Sequence, residues 1–375
     1  MSRAGAGGRA AAGRAGAGRR AAAGRACLGE ARPMVVEWLL GGVMVAALVL
    51  YALLGGADFG GGVWDLLASG PRKQEQRALI ERVMGPIWEA NHVWLILVVV
   101  LLFTAFPPAF AAISVALHVP LTLFLVGVVF RGSAFSFRSY DSRRDHRQKR
   151  WGLLFSLASV IAPVLLGMIV GAVASGRIRV ASGVVTSGFF APWLSLFPFM
   201  VGLFALSLFG FLAAVYLTNE ATEPALVDDF RLRALVSGCV VAALALACFG
   251  ASFEGAPLIR EGLTDHPITW PLHVTTGIAA TAAFFGLWTR RFRLARFAAA
   301  AQVTLILLGW AASQYPYLVV PDVTLAGAAA NPRTLRLLVW VLGVGFVLLF
   351  PSLYVLFRVF GSGRAGAASD SDDAH

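Results

Sequence analysis

The chain has 375 residues, of which 58% are apolar and only 14% charged, with a mean hydropathy of +0.75. Soluble domains average roughly 45–50% apolar and about 25% charged residues, so a soluble fold is excluded and an all-α integral membrane protein is expected. The net charge of +11 follows from loop arginines rather than from a nucleic-acid face. Cys27, Cys239 and Cys248 form no CxxC and no metal-type spacing, which supports neither a disulfide framework nor a zinc site.

Residues Met1 to Pro33 are almost entirely Ala, Gly and Arg. Such a composition cannot bury a core, and the segment is read as a disordered extension from an over-long start, with Met34 the expected true beginning. From there about nine spans are predicted, the first near 35–54 and continuing into Gly55–Gly62, the others near 87–106, 109–130, 153–174, 193–217, 233–253, 271–289, 295–315 and 335–358. Each has about the 20 apolar residues a crossing needs. Backbone groups in lipid must pair within their own segment, so each span is a helix. Residues 361–375 read as a disordered tail.

Short-loop lysine and arginine set the orientation. One face receives nineteen of them, among them Arg72, Lys73, Arg77, Arg82, Arg143, Arg144, Arg231, Arg290 and Arg291. The other receives five, Arg177, Arg179, Arg260, Arg333 and Arg336. The amino terminus of the first span is therefore expected outside and the carboxyl terminus in the cytoplasm of a bacterial inner membrane.

Ionisable groups inside spans cost about 2.5–3.5 kcal/mol each on insertion scales, so each needs a reason. Asp58 lies in the glycine-rich stretch Gly55–Gly62, where such density permits close helix approach or a local break. Glu89 follows Gly85-Pro86-Ile87-Trp88 at the inner start of the second span, and Arg131 marks the inner end of the third. The topology thus sets Asp58, Glu89 and Arg131 at similar depth. His92 is one turn from Glu89 on the same helix face, Trp94 lies deeper, and His118 is expected near the middle of the third span. Two readings stand side by side: a proton entrance from the cytoplasm, or a charge-paired helix end with Glu89 and Arg131 neutralising each other. His118 read alone is a packing histidine. Glu254 and His273 read as interface residues, Trp38, Trp151 and Trp270 as belt anchors, and His146 as a solvated loop residue. P-loop, CxxCH, HExxH and nucleophile-elbow motifs are missing, and only His92 and His118 have a depth suited to an axial haem ligand.

The segments Gly55–Gly62, Gly85-Pro86-Ile87-Trp88-Glu89-Ala90-Asn91-His92-Val93-Trp94-Leu95-Ile96 and Phe130-Arg131-Gly132-Ser133-Ala134-Phe135-Ser136-Phe137-Arg138-Ser139 resemble subunit II of the cytochrome bd quinol oxidases. Similarity of arrangement extends over roughly residues 34–360. The resemblance implies two four-helix bundles, here 34–175 and 176–320, and a peripheral ninth helix in 321–360. It implies a partner subunit I carrying haem b and haem d and oxidising quinol, with proton or oxygen access and support from subunit II; a bound quinone is a further option. It assigns Asp58, Glu89 and Arg131 to a polar channel lined by Trp88, Asn91 and Trp94, with His92 and His118 as further path candidates. Three departures stand out: Glu89 where the family often has Asp, His92 where it often has Gln, and Gly55 in place of an acid. The cyanide-insensitive branch shares the pattern.

Three functions are compared: an oxidase subunit without catalytic residues of its own, a proton-coupled secondary transporter built on two similar bundles, and a purely structural partner. Polar residues crowd one end of the first three spans, with no midplane site common to both halves, which favours the first.

Overall fold

The computed structural model describes residues 35–84, 88–140, 145–265, 267 and 269–369, with side chains except at 84, 88–90, 138–140, 145–149 and 356–369. The expected extension, Cys27 and Met34 lie outside the described residues, as do the side chains of Trp88, Glu89 and His146.

Helix α1 (Val35–Leu66) is unbroken through the glycine-rich stretch. Of the two options for those glycines, close approach is the one realised. A Cβ on Gly60 would lie 2.0 Å from the Phe209 carbonyl oxygen, and one on Gly62 would lie 2.2 Å from Ser159. A break there would instead strip backbone groups of their partners at membrane depth. A short amphipathic helix, α2 (Lys73–Met84), follows, then α3 (Trp88–Ala105) and α4 (Pro107–Ala116). The two are bent by 116°, because Pro107 and Pro108 lack the N–H groups that would continue α3. The third span consequently starts at His118, not near residue 109: α5 is His118–Tyr140.

The chain continues through α6 (Asp145–Ala174), α7 (Leu196–Glu220), α8 (Pro224–Gly255), the eight-residue α9 (Pro257–Thr264), α10 (Thr269–Trp288), α11 (Phe292–Gln314) and α12 (Pro332–Ser369). The backbone of α12 stays helical past residue 360, where an unstructured tail was expected. Among the described residues seven helices are long and apolar enough to cross a membrane, and the bent pair α3–α4 makes eight. Helix α10 matches the remaining expected span in length and carries Thr269, His273, Thr275, Thr276 and Thr281 among its apolar residues; it is not one of those eight.

Helices α1 and α7 are the central pair. Helix α1 packs on α3, α6 and α7, while α7 packs on α6, α8 and α11; α5 flanks α6 and α10 flanks α11. One apolar core runs through both halves, from Leu40 and Phe59 to Phe230 and Leu287. Helix α12 touches only α1 and α3 to any extent, and its most apolar stretch is not buried.

Two small hairpins close one end of the bundle. Strands β1 (Val180–Ala181) and β2 (Val184–Val185) are antiparallel, with Ala181 opposite Val184. Their two-residue turn uses Ser182 and Gly183 at φ 52° and 78°, the left-handed pair that a tight hairpin demands. Strands β3 (Tyr317–Val319) and β4 (Val323–Thr324) form the second. Asp322 joins the hairpins by accepting from Arg179 Nε at 2.9 Å and from the Val180 N–H at 2.8 Å. The opposite, basic end carries ion pairs from Arg72 to Asp229 (2.6 Å) and Arg290 to Asp228 (2.9 Å).

Candidate functional site

Helix α1 carries polar groups at every seventh position: Tyr51, Asp58 and Asp65. Seven residues are close to two helical turns, so all three share one face, and that face is turned inward; they are 2%, 3% and 1% exposed.

At the centre, Arg131 of α5 meets Asp58 at 2.6 Å, with both side chains buried. It is a charge contact whose angles miss those of a hydrogen bond, and neither Asp58 carboxylate oxygen accepts an aligned one among the described residues. The guanidinium instead donates from Nε to Ser159 Oγ at 3.0 Å and from an Nη to the Asp58 backbone carbonyl at 3.2 Å. It lies over the rings of Phe59 and Phe155, at 4.8 and 5.1 Å from their centroids. Cation–π contacts of this kind strengthen when water is excluded. Arg131 is thereby held by α1, α5 and α6 together.

Further from the basic end, Asn91 of α3 donates to the Leu54 carbonyl at 3.4 Å, and its own side-chain oxygen is buried. The His92 ring lies 6.1 Å from the ring of Tyr51, and Trp94 is buried. Toward the basic end, Ser156 of α6 donates to Asp65 at 2.8 Å, and Arg77 of α2 approaches the same carboxylate at 3.7 Å. A polar ladder therefore runs along α1 from Asp65 to Tyr51, spanning about 21 Å by helical rise.

The expected site residues divide accordingly. Asp58, Arg131 and Asn91 meet around α1, with His92 beside Tyr51 and Trp94 buried one turn beyond Asn91 along α3. The backbone of Glu89 opens α3 one turn from His92, while its side chain and that of Trp88 lie outside the described residues. His118 is placed elsewhere, a correction to its mid-span placing. It begins α5 at the hairpin end, about 20 Å by helical rise from Arg131. It is exposed, bonded through Nδ1 to the Val115 carbonyl at 2.9 Å, and set edge-on against Phe189. Tyr51, Asp65, Ser156 and Ser159 were missed. The seven-residue spacing along α1 was visible, but only to a reader who extends that helix to Leu66.

No group of three or more metal-ligating side chains occurs among the described residues. Nor do they fit a haem. The open cleft of about 510 Å³ beside His118 is lined otherwise by Ser114, Val115, Ser187 and Phe189, without a second axial donor, and His92 packs on Tyr51.

A bundle of apolar helices whose fully buried charges, among the described residues, are Asp58, Asp65 and Arg131 is the mark of a multi-pass membrane protein. Residues 36–360 match the family described as cytochrome bd terminal oxidase subunit II, and the chain belongs to that family. It is 24% identical over 322 residues, 83% of this chain and 91% of the relative, to the putative cytochrome bd menaquinol oxidase subunit II of Bacillus subtilis. It is 27% identical over 218 residues, 57% of this chain and 54% of the relative, to the cytochrome bd-I ubiquinol oxidase subunit 2 of Escherichia coli. A chain in the structure of bd oxidase from Geobacillus thermodenitrificans superposes with a TM-score of 0.70 at 22% identity, covering 87% of this chain and 99% of that one. The protein is thus a multi-pass bacterial membrane component of a respiratory quinol oxidase, an oxidoreductase complex of a haem-using family.

Proposed function

We propose that this chain is the support subunit and cytoplasmic proton path of a bd-type quinol:oxygen oxidoreductase. Its partner is a subunit I that holds haem b and haem d and takes electrons from quinol on the outer side. Protons consumed in oxygen reduction come from the cytoplasm, so turnover builds a proton-motive force without pumping.

The observation that carries this reading is the buried Asp58–Arg131 pair. Charges are expensive in a membrane interior and persist where they serve ion or proton movement. In the proposed path Glu89, Asp58 and His92 hand protons inward, Asn91 with Trp88 and Trp94 lines the way, and Arg131 keeps Asp58 ionised and in place. The excess of basic residues at the Asp58 end supports placing that end in the cytoplasm, with the amino terminus of α1 outside. The division into a bundle over 34–175, a bundle over 176–320 and a peripheral α12 is supported by the central pairing of α1 with α7 and by the light packing of α12. His118, far from the pair, is left out of the path.

Glu89→Gln in membranes that also carry the partner tests the proposal. Slowed quinol-dependent oxygen consumption with unchanged reduced-minus-oxidised haem spectra is the expected outcome. Normal turnover removes the proton-path assignment and leaves a supporting subunit or an oxygen route.

A further inference from the structure

We propose that Asp65 is a second proton-carrying carboxylate, loaded at the basic end and emptied toward Asp58 along the seam between α1 and α6. The inference rests on the proton-path reading and adds to it a residue that the family motifs in this chain do not contain.

Asp65 is the penultimate residue of α1, yet it is 1% exposed. A carboxylate at a helix end ordinarily turns to water. This one is covered by α2 and α6, and its outer neighbour Arg77 keeps about a third of its side chain in solvent (30%). Asp65 therefore sits one side chain away from water and faces inward.

On the inner side stands Ser156. Its hydroxyl has one hydrogen and two acceptors within reach, Asp65 Oδ2 at 2.8 Å and the Gly152 carbonyl at 2.9 Å. It can therefore donate to an ionised Asp65, or turn to Gly152 and accept from a protonated one. Ser159, three residues on, lies on the same face of α6. It accepts from Arg131 at 3.0 Å and thus touches the Asp58 pair. Asp58 and Asp65 are about 10.5 Å apart by helical rise, too far for direct transfer, and these two hydroxyls occupy the interval. Gly62 lies between the carboxylates on the same α1 face, where any Cβ would collide with the Ser159 hydroxyl at 2.2 Å. The seam thus leaves no room for a side chain at Gly62, between the two acids.

The step is balanced. A hydronium proton from the cytoplasm neutralises Asp65. Asp65 returns a proton to the Ser156 oxygen as Ser156 releases its own hydrogen inward, to a water molecule that the relay requires between Ser156 and Ser159. One proton moves toward Asp58, and no heavy-atom bond changes.

The competing role is a clamp in which Asp65 and Arg77 hold α2 to the bundle. The test uses the assembled oxidase in membranes and measures quinol-dependent oxygen consumption in H2O and D2O, beside haem spectra. Asp65→Asn should slow turnover by about tenfold or more and enlarge the solvent isotope effect, with spectra intact. Asp65→Glu should keep most of the rate, Ser156→Ala should slow it in the same sense, and Arg77→Gln should leave it near the parent. Wild-type turnover in Asp65→Asn with a slowed Glu89→Gln would overturn this inference alone. Wild-type turnover in both would overturn the path as a whole. Equal slowing by Arg77→Gln and Asp65→Asn would make Asp65 a clamp. If Asp65→Asn does not assemble, Ser156→Ala decides: a slowed rate supports the relay and a parental rate ends it.

Discussion

The first and second halves of the chain fold helices of similar length around one core, but they bury different chemistry. Before residue 175 the interior holds Asp58, Asp65 and Arg131, all 3% exposed or less. Beyond it the buried polar side chains are neutral, among them Thr218, Ser237, Ser252 and Gln314. Charged side chains of the second half are at least partly exposed among the described residues, as in Arg290–Asp228 and Arg296–Glu220, with Arg233 half-buried against the rings of Trp64 and Phe230. Its helices meet through small residues, as the first half's also do at Gly62 and Ser159: Gly286 of α10 lies against Ala295 of α11, and Gly262 of α9 against Ser313 of α11. Such contacts are the ordinary means of membrane helix packing, so buried charge is not required to hold this fold. Among the described residues it is confined to the first half, the half on which the proposed proton path rests.

The sharpest way to break the contrast is to remove charge from the first half. Asp58→Leu alone strands the Arg131 guanidinium and should cost about 3–5 kcal/mol, seen as a large drop in thermal midpoint in detergent. The double variant Asp58→Leu/Arg131→Met should recover most of that stability, since an apolar replacement of a buried pair is often neutral or better, yet it should not recover turnover. A double variant with parental activity would show that the pair is only structural. Next in size is the α1–α7 contact. Gly60→Ala drives a methyl into the Phe209 carbonyl and should cost about 1–3 kcal/mol, whereas Gly277→Ala, with nothing within 4 Å, should not lower the midpoint. At the rim, Asp228→Asn should change stability by less than about 1 kcal/mol, and by less again in high salt. Smallest of all, His118→Ala should leave turnover unchanged, and a slowed variant would return His118 to the path.

The spans were legible because twenty-residue apolar runs have one stable form in lipid. The depth match of Asp58 and Arg131 was legible because short loops and basic rims fix which helix ends are neighbours. Their distance was not, since it depends on how α1, α5 and α6 turn about their axes. Asp65 was hidden for a different reason. Dense glycine is compatible with both a break and a tight seam, and a first span that runs out within Gly55–Gly62 leaves Asp65 among the loop residues. Pro107-Pro108 reads equally as a loop between two spans or as a corner. Only the packing of Phe106, fully buried at the bend, distinguishes the two.

The Arg179–Asp322 clasp joins the segment after α6 to the segment after α11. At the other face Asp229 of α8 binds both Arg72 and Gln76. Of the two, only the contact at Asp229 ties the first half to the second, and surface pairs of this kind are worth about 1 kcal/mol or less each. The rocking of one half against the other that a carrier needs is opposed more by the close seam of α1 on α7, where Gly60 meets the Phe209 carbonyl.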